Sequence, residues 1–595
     1  MILLNLQRAF CYISEISSIN SVEKQLDLNS VEKQLDLEKK LDSNLEKKLD
    51  SNSKLDSNSE VETRFEKAAV ASENPICSEL GVKILKKGGN AVDAGIATGI
   101  CVGLINSFSS GLGGGGFAIV KNEKVSKFYD FRETSPEKIN DLEYKCNKNA
   151  SQVGGCSIAV PSELKGFYEI HKKHGKLKWE ELFEDNIKMA IEGFEASEQL
   201  ERRVKKLQKY ILEDEGMKEV YCRTENGETT LIKKGDVIKR ENFAETLKII
   251  SRNPNDFYEG NLAEDIVNSV KKVGGTLELS DLKGYRVQEK ENITGEYKNY
   301  KITAAGLPTS GIFIVFALNI LENFDMEQII KERGGPYIFY LMVEIFKFMS
   351  SKRGEFADPD FMKNKEVVQK FLSKDYAKKI AGKINFDKVL SVEEYQQDTS
   401  FNDTNGTTHI NVVDKDGMIF VLTSSINLEF GSKFMDKKTG IIFNNQIDDF
   451  YIENQENAYQ LSKMSANILE PKKRPFSSMS PFIIENGEKT IILGAAGGTR
   501  IPTSIFSVLV QLLLGINLKE AIDFPRIHHQ LIPNKTFVEH TINRELKEFL
   551  EKKGQNVEVS ALNNGFTSIQ GTILYKNGTI ESYSDKRKGG LSKGY

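Results

Sequence analysis

Residues 405–427 read Asn405-Gly-Thr-Thr-His-Ile-Asn-Val-Val-Asp-Lys-Asp-Gly-Met-Ile-Phe-Val-Leu-Thr-Ser-Ser-Ile-Asn427. Ile410 and Val412 alternate with polar or small neighbours, Asp414-Lys415-Asp416-Gly417 supplies a charged turn, and Met418 to Leu422 is apolar again. This pattern predicts a β-hairpin. Thr423, Ser425 and Asn427 recur at period two, so the second strand carries a row of small polar side chains on one face. The hairpin begins at Gly406-Thr407, which sets a hydroxyl at the head of a strand beside that row. Taken alone, the stretch reads as a surface hairpin with a polar face; a hydroxyl nucleophile in an active site is the competing reading.

Outward from the hairpin, helices dominate the N-terminal side and strands the C-terminal side. Ser78 to Lys87 has helical spacing and stops at Gly88-Gly89; Asn90 then caps an almost wholly apolar helix through Ile105. Ser162 to Lys173, Trp179 to Glu192, Phe243 to Arg252, Leu262 to Val273 and Tyr337 to Ser350 predict further helices. After the hairpin come expected strands at Gly440 to Phe443, Met479 to Ile484 and Thr490 to Gly494, helices at Ile501 to Leu514 and Asn543 to Lys553, and strands near 566–582. That order implies one layered α/β unit in place of separate beads.

The totals bound the function. At 595 residues and 39% hydrophobic the chain supports a large core, and a net charge of −4 argues against nucleic acid as a partner. No apolar run reaches the length of a membrane span. Six cysteines and six histidines contain no CxxC pair and no zinc-type cluster, so no metal or other cofactor is expected. Gly111, Gly113 and Gly116 fit GxGxxG with Asp130 downstream, but a helix precedes them and a strand follows, the reverse of a dinucleotide site. Residues 1–63 are a low-complexity segment in which Ser21-Val-Glu-Lys-Gln-Leu-Asp-Leu repeats at Ser30; the charge is too dense to build a core. Met1 to Ile13 is mildly apolar but broken by Asn5, Gln7 and Arg8, and reads either as a weak signal segment or as the start of a tail.

Further polar constellations stand out: Phe131-Arg132-Glu133, which the pattern places at the end of the strand following the glycines; Asn444-Asn-Gln-Ile-Asp-Asp-Phe450; Arg474-Pro-Phe-Ser-Ser-Met-Ser-Pro481; and Gly494-Ala-Ala-Gly-Gly-Thr-Arg-Ile501. Consecutive glycines after a strand expose backbone N–H groups suited to an oxyanion. Each stretch alone is equally well a turn or a cap.

Together, these stretches resemble the γ-glutamyltranspeptidases (glutathione hydrolases). The motifs are Lys86-Lys-Gly-Gly-Asn-Ala-Val-Asp-Ala94, Gly111-Leu-Gly-Gly-Gly-Gly-Phe117, Asp130-Phe-Arg-Glu133, Gly406-Thr-Thr-His409, Leu422-Thr-Ser-Ser-Ile-Asn427, Phe443-Asn-Asn-Gln-Ile-Asp-Asp-Phe450, Arg474-Pro-Phe-Ser-Ser-Met479, Gly497-Gly-Thr-Arg500, Pro525-Arg-Ile-His-His-Gln530 and Gly594-Tyr595. The resemblance implies an α/β fold, the four-layer αββα sandwich of N-terminal-nucleophile (Ntn) hydrolases, formed by intertwined subunits. A precursor would cut itself between Gly406 and Thr407, giving a large subunit (64–406) and a small one (407–595). It would then pass the γ-glutamyl group of glutathione or its conjugates, through an acyl-enzyme on Thr407, to water, an amino acid or a dipeptide.

Residue by residue, the resemblance implies that Ser425 supports the nucleophile and that Gly497 and Gly498 bind the oxyanion. Arg132, Ser477 and Ser478 would grip the donor α-carboxylate, and Asp449, Asn427 and Gln446 its α-ammonium. Tyr459 falls in a stretch resembling a lid. Cys77 and Cys101 coincide with a cysteine pair that animal members bridge. Cys222 matches one half of a second pair whose other position is Lys218, and Cys146 and Cys156 are an alternative pairing. With Asn-x-Ser/Thr sites at Asn149, Asn292, Asn402, Asn405, Asn534 and Asn577, that bridge points to a secretory, extracellular or cell-surface location, with a cytoplasmic one as the alternative. A related amidase with another acyl donor and an uncut, inactive scaffold are the competing functions.

Overall fold

The computed structural model describes residues 63–139, 144, 149–395, 406–452, 466–560 and 567–595. The repeat segment, Cys146, Asn402, Asn405 and Tyr459 lie outside the described residues. Residues 63–595 form one unit. Its centre is a pair of seven-stranded sheets.

The first sheet runs, edge to edge, Leu591–Gly594, Ala69–Ser72, Gly406–Val413, Ile419–Asn427, Gly115–Lys121, Ser126–Phe131, Gln288–Lys290. The second runs Arg64–Phe65, Ile580–Ser584, Ser568–Tyr575, Lys489–Ala496, Phe482–Glu485, Tyr300–Ala304, Ile293–Tyr297. All their pairings are antiparallel.

The predicted hairpin is the middle of the first sheet, and every residue of both its strands is buried. One face, bearing Phe420 and Leu422, meets helix Ala91–Ile105, where a Cβ on Gly95 would stand 2.0 Å from Phe420 and one on Gly99 3.2 Å from Leu422. The other face meets the second sheet: Asn411 Nδ2 donates to Ile492 O (3.4 Å) and Gln570 O (2.9 Å). Helices Gly311–Leu321 and Ile501–Leu513 cover the far side of the second sheet. The result is the layered αββα sandwich, and the polar face of the hairpin points inward, not to solvent.

Helix Ala91–Ile105 is buried along its whole length and starts in a capping box between Asn90 and Asp93. Asp93 also accepts from the backbone of Lys176 and Leu177, tying this helix to a distant loop. A disulfide joins Cys77 to Cys101, Cα to Cα 5.4 Å, between this helix and helix Pro75–Lys86.

Three expectations need correction. Gly440 to Phe443 makes only isolated bridges, Gly113 to Phe443 and Met435 to Ile442, because it threads between loops instead of along a sheet. Trp179 to Glu192 is not one helix: a 3-10 turn, Trp179–Leu182, precedes helix Glu184–Glu192, and it lets the Trp179 indole donate to Ile250 O. Phe131 ends the strand Ser126–Phe131, a second strand after the glycines, and Arg132 and Glu133 follow it.

Candidate active site

Thr407 and Ser425 are register partners across the hairpin, whereas Gly406 pairs with Asn427, so the second strand carries one extra residue, a bulge, at this point. Thr407 Oγ1 lies 3.0 Å from Ser425 Oγ. Ser425 Oγ donates to Gly406 O at 2.7 Å and accepts from Asn427 N at 2.9 Å. Because the serine proton is committed to the carbonyl, the Thr407 proton is directed at Ser425 Oγ.

Gly406 is required by close approach: a Cβ there would stand 2.3 Å from Leu428 O and 2.6 Å from Asn427 O. Its φ is outside the left-handed region, so glycine is needed here for space and not for backbone conformation. Behind the nucleophile, Lys588 Nζ donates to Thr407 O at 2.7 Å and lies 3.4 Å from Glu73 Oε2, with all three residues buried. Burial pulls the Lys588 pKa down against the opposing charge of Glu73.

His409, two residues on, is buried and held near pKa 4 by desolvation, so it is neutral at pH 7. Asn411, fixed by its two carbonyl partners, accepts from His409 Nε2 (2.9 Å), which leaves Nδ1 to accept from Thr423 Oγ1 (2.8 Å). His409 is thus a strut between the sheets, and its ring lies 1.9 Å from where a Cβ on Gly494 would be.

That contact sets how the two sheets meet at this point. Asn411 faces Ile492 and His409 faces Gly494, so the Thr407 end of its strand runs toward the Ala496 end of Lys489–Ala496, after which come Gly497 and Gly498. Both glycines have positive φ, 139° and 62°, and they lead into the 3-10 turn Gly498–Arg500 before helix Ile501–Leu513. Successive N–H groups in such a turn make an anion-binding concavity.

On the substrate side, the Arg132 guanidinium hydrogen-bonds Asp449 through Nη2 and Pro475 O through Nε at 3.2 Å. Arg132, expected at the donor α-carboxylate, and Asp449, expected at its α-ammonium, therefore touch each other. Burial pushes the Asp449 carboxyl up while Arg132 pulls it down. Gln446 is buried with both ends of its amide unpaired among the described residues, and Asn427 Oδ1 is likewise unpaired. Unpaired buried amides of this kind have hydrogen-bonding capacity to offer a polar ligand. Ser477 and Ser478 stand beside Arg353, whose Nη2 donates to Ser478 Oγ at 2.8 Å.

Three neighbours escaped the sequence reading: Arg353, Lys588 and the buried acid Glu163 sit in stretches without motif character, whereas Glu133 lies in a quoted motif that gave it no role. Desolvation raises Glu133 to about 8 and Glu163 to about 7. Glu133 Oε2 is 3.5 Å from Arg132 Nη1, and Glu163 accepts from Ser424 on the helix-facing side of the hairpin. Among the described residues no cluster of His, Cys, Asp or Glu could hold a metal ion.

Two facing sheets between helical layers, with a threonine hydroxyl at the head of a central strand, define the fold class of the Ntn hydrolases. The chain belongs to the gamma-glutamyltranspeptidase family, whose sequence profile matches residues 77–595. It is 36% identical over 538 residues to glutathione hydrolase proenzyme 1 of Schizosaccharomyces pombe, covering 89% of this chain and 85% of that protein. Its fold matches the crystal structure of cephalosporin acylase from Bacillus halodurans, with TM-score 0.77 and 23% identity over 91% of this chain and 98% of that one. It also matches Helicobacter pylori gamma-glutamyltranspeptidase at 28% identity and TM-score 0.51, covering 56% of this chain and 94% of that one.

Proposed function

We propose that this chain is an autoprocessing glutathione hydrolase and γ-glutamyltransferase. The observation that carries the reading is the Thr407–Ser425–Gly406 arrangement: a hydroxyl on a strand head, hydrogen-bonded to a second hydroxyl that donates to the preceding carbonyl.

In the first reaction Thr407 Oγ1 attacks the carbonyl carbon of Gly406. Its proton moves to Ser425 Oγ, and Ser425 passes its own proton to the carbonyl oxygen. When the C–N bond breaks, the departing nitrogen takes a proton and an ester joins Gly406 to Thr407 Oγ1. Water hydrolyses the ester, leaving a Gly406 carboxylate and a free α-amine on Thr407. An N-terminal threonine then carries its own base.

In the second reaction Thr407 Oγ1 attacks the γ-carbonyl of the donor. The α-amine accepts the hydroxyl proton and delivers it to the leaving amine. Gly497 and Gly498 N–H groups hold the oxyanion, a contribution of about 10²- to 10³-fold per donor group. Arg132, Ser477 and Ser478 take the α-carboxylate, and Asp449, Asn427 and Gln446 take the α-ammonium. A donor without both groups would leave these buried polar side chains unmatched, which favours glutathione and other γ-glutamyl compounds over the donors of other acylases. Water, amino acids and dipeptides are the acceptors. The Cys77–Cys101 bridge supports a secretory or cell-surface location.

A denaturing gel tests the first reaction: two fragments meeting at Gly406/Thr407, absent in Thr407→Ala. Release of the aniline from a γ-glutamyl but not an α-glutamyl anilide tests the second. An uncut chain inactive on both would overturn the proposal.

A further inference from the structure

Arg353 is not one of the residues that the family resemblance assigns, yet it organises the serine side of the site. It opens the 3-10 turn Arg353–Glu355, just after helix Pro336–Ser350. Its fork spans two hydroxyls, with Nη2 to Ser478 Oγ at 2.8 Å and Nη1 to Ser310 Oγ at 3.3 Å. Ser310 Oγ donates in turn to Ser477 O at 2.8 Å. The guanidinium lies 4.9 Å above the Phe476 ring, so both serines and the residue before them rest on one side chain.

The direction of the Ser478 bond decides its chemistry. A guanidinium only donates, so Ser478 Oγ must accept, and its single proton is left for another acceptor. A hydroxyl prepared in this way presents a donor to a carboxylate; without the arginine it could equally turn a lone pair toward it. The charge balance points the same way. Arg132 and Arg353 both act on Asp449, while desolvation keeps Glu133 largely protonated at neutral pH, with a pKa of about 8. Two guanidinium groups thus flank one acidic side chain, a setting that favours a ligand carboxylate.

We propose that Arg353 is a positioning residue for substrate specificity: it fixes the Ser478 hydroxyl as a donor, holds the Ser477 backbone through Ser310, and supplies the second cation that recognises the donor α-carboxylate. This rests on the γ-glutamyl reading of the site. Arginine is needed because a lysine ammonium restores the charge but cannot span two hydroxyls.

The test compares γ-glutamyl anilide with 4-aminobutyryl anilide, which lacks only the α-carboxylate, using the full self-processed enzyme. Arg353→Gln is expected to raise KM for the γ-glutamyl substrate about 10- to 100-fold, the range of a lost hydrogen bond to a charged group, with kcat changed by less than about threefold. The kcat/KM for 4-aminobutyryl anilide should move by less than about threefold, and Arg353→Lys should recover part of the loss. In a Ser478→Ala background the Arg353→Gln effect on KM should shrink, because one acts through the other. A loss of equal size on both substrates, or an unchanged KM, overturns the proposal. Should Arg353→Gln fail to fold or to process, Arg353→Lys and Ser478→Ala carry the same comparison. Wild-type enzyme that leaves γ-glutamyl anilide intact would instead overturn the γ-glutamyl reading itself.

Discussion

Ser425 donates to the carbonyl oxygen of Gly406 while it stands 3.0 Å from the hydroxyl of Thr407. A single side chain therefore touches both the attacking atom and the bond to be cut. Ser425→Ala should slow self-cleavage by about 10²- to 10³-fold, the cost of removing one oxyanion donor, without unfolding the chain. Ser425→Thr keeps the hydroxyl and should still process. A time course of the two fragments on a denaturing gel measures this, and undiminished cleavage in the alanine variant would sink the relay.

Gly406→Ala should abolish processing by a steric route. Its Cβ would meet Leu428 O at 2.3 Å, a backbone atom that cannot swing aside. Overpacking of this kind costs about 1–3 kcal/mol, so the variant should be uncut and melt lower than Thr407→Ala. Equal melting points for the two uncut variants would show that the strand shifts to make room.

Lys588→Met removes the donor to Thr407 O and leaves Glu73 without this cation in the buried region behind the nucleophile. Breaking a buried ion pair by deleting one partner costs about 3–5 kcal/mol. The expected outcome is a lower melting temperature with slower processing. Lys588→Met/Glu73→Gln should recover stability but not processing rate, which separates the two roles.

Stability should fall on both sides of a mildly acidic optimum, between about pH 4.5 and 6.5. Glu133 and Glu163 have folded-state pKa values near 8 and 7, above the ordinary 4.5. The folded chain therefore holds their protons more tightly, and their stabilising contribution is present below pH 4.5 and lost as pH rises toward 8. His409 and His528 are depressed to about 4 and about 3, so their contribution is present above pH 6.5 and lost as pH falls. Thermal midpoints across pH 4–9 read this, and Glu133→Gln should flatten the alkaline limb; an unchanged limb would place the Glu133 proton elsewhere.

The hairpin was legible because period-two alternation and an Asp-Gly turn leave few alternatives: the expected strands and the observed Gly406–Val413 and Ile419–Asn427 differ mainly at their ends. Helix Ala91–Ile105 was legible through its Asn90 cap and unbroken apolar run. Helix Gly311–Leu321 was not, since an element apolar on all sides has no period to detect. The short strands Ala69–Ser72 and Leu591–Gly594 were missed because four residues carry too little pattern. At the site, side chains that could touch a donor sit in recognisable motifs, whereas Arg353, Glu163 and Lys588 act through other residues. Their partners are 125, 261 and 181 positions away, a separation to which local pattern is blind.

The sheet order carries one last consequence. In the first sheet, strands from before and after position 406 interleave: Ala69–Ser72 lies between Leu591–Gly594 and Gly406–Val413, and Gly115–Lys121 flanks the other side of the hairpin. A cut at Gly406/Thr407 therefore alters connectivity without releasing either piece, because neither fragment owns a complete sheet. The order of events runs one way, folding first and scission second. Once melted, the halves would have to re-thread as two chains a weave that was made as one, so heat inactivation should be permanent where that of the uncut Thr407→Ala chain is not.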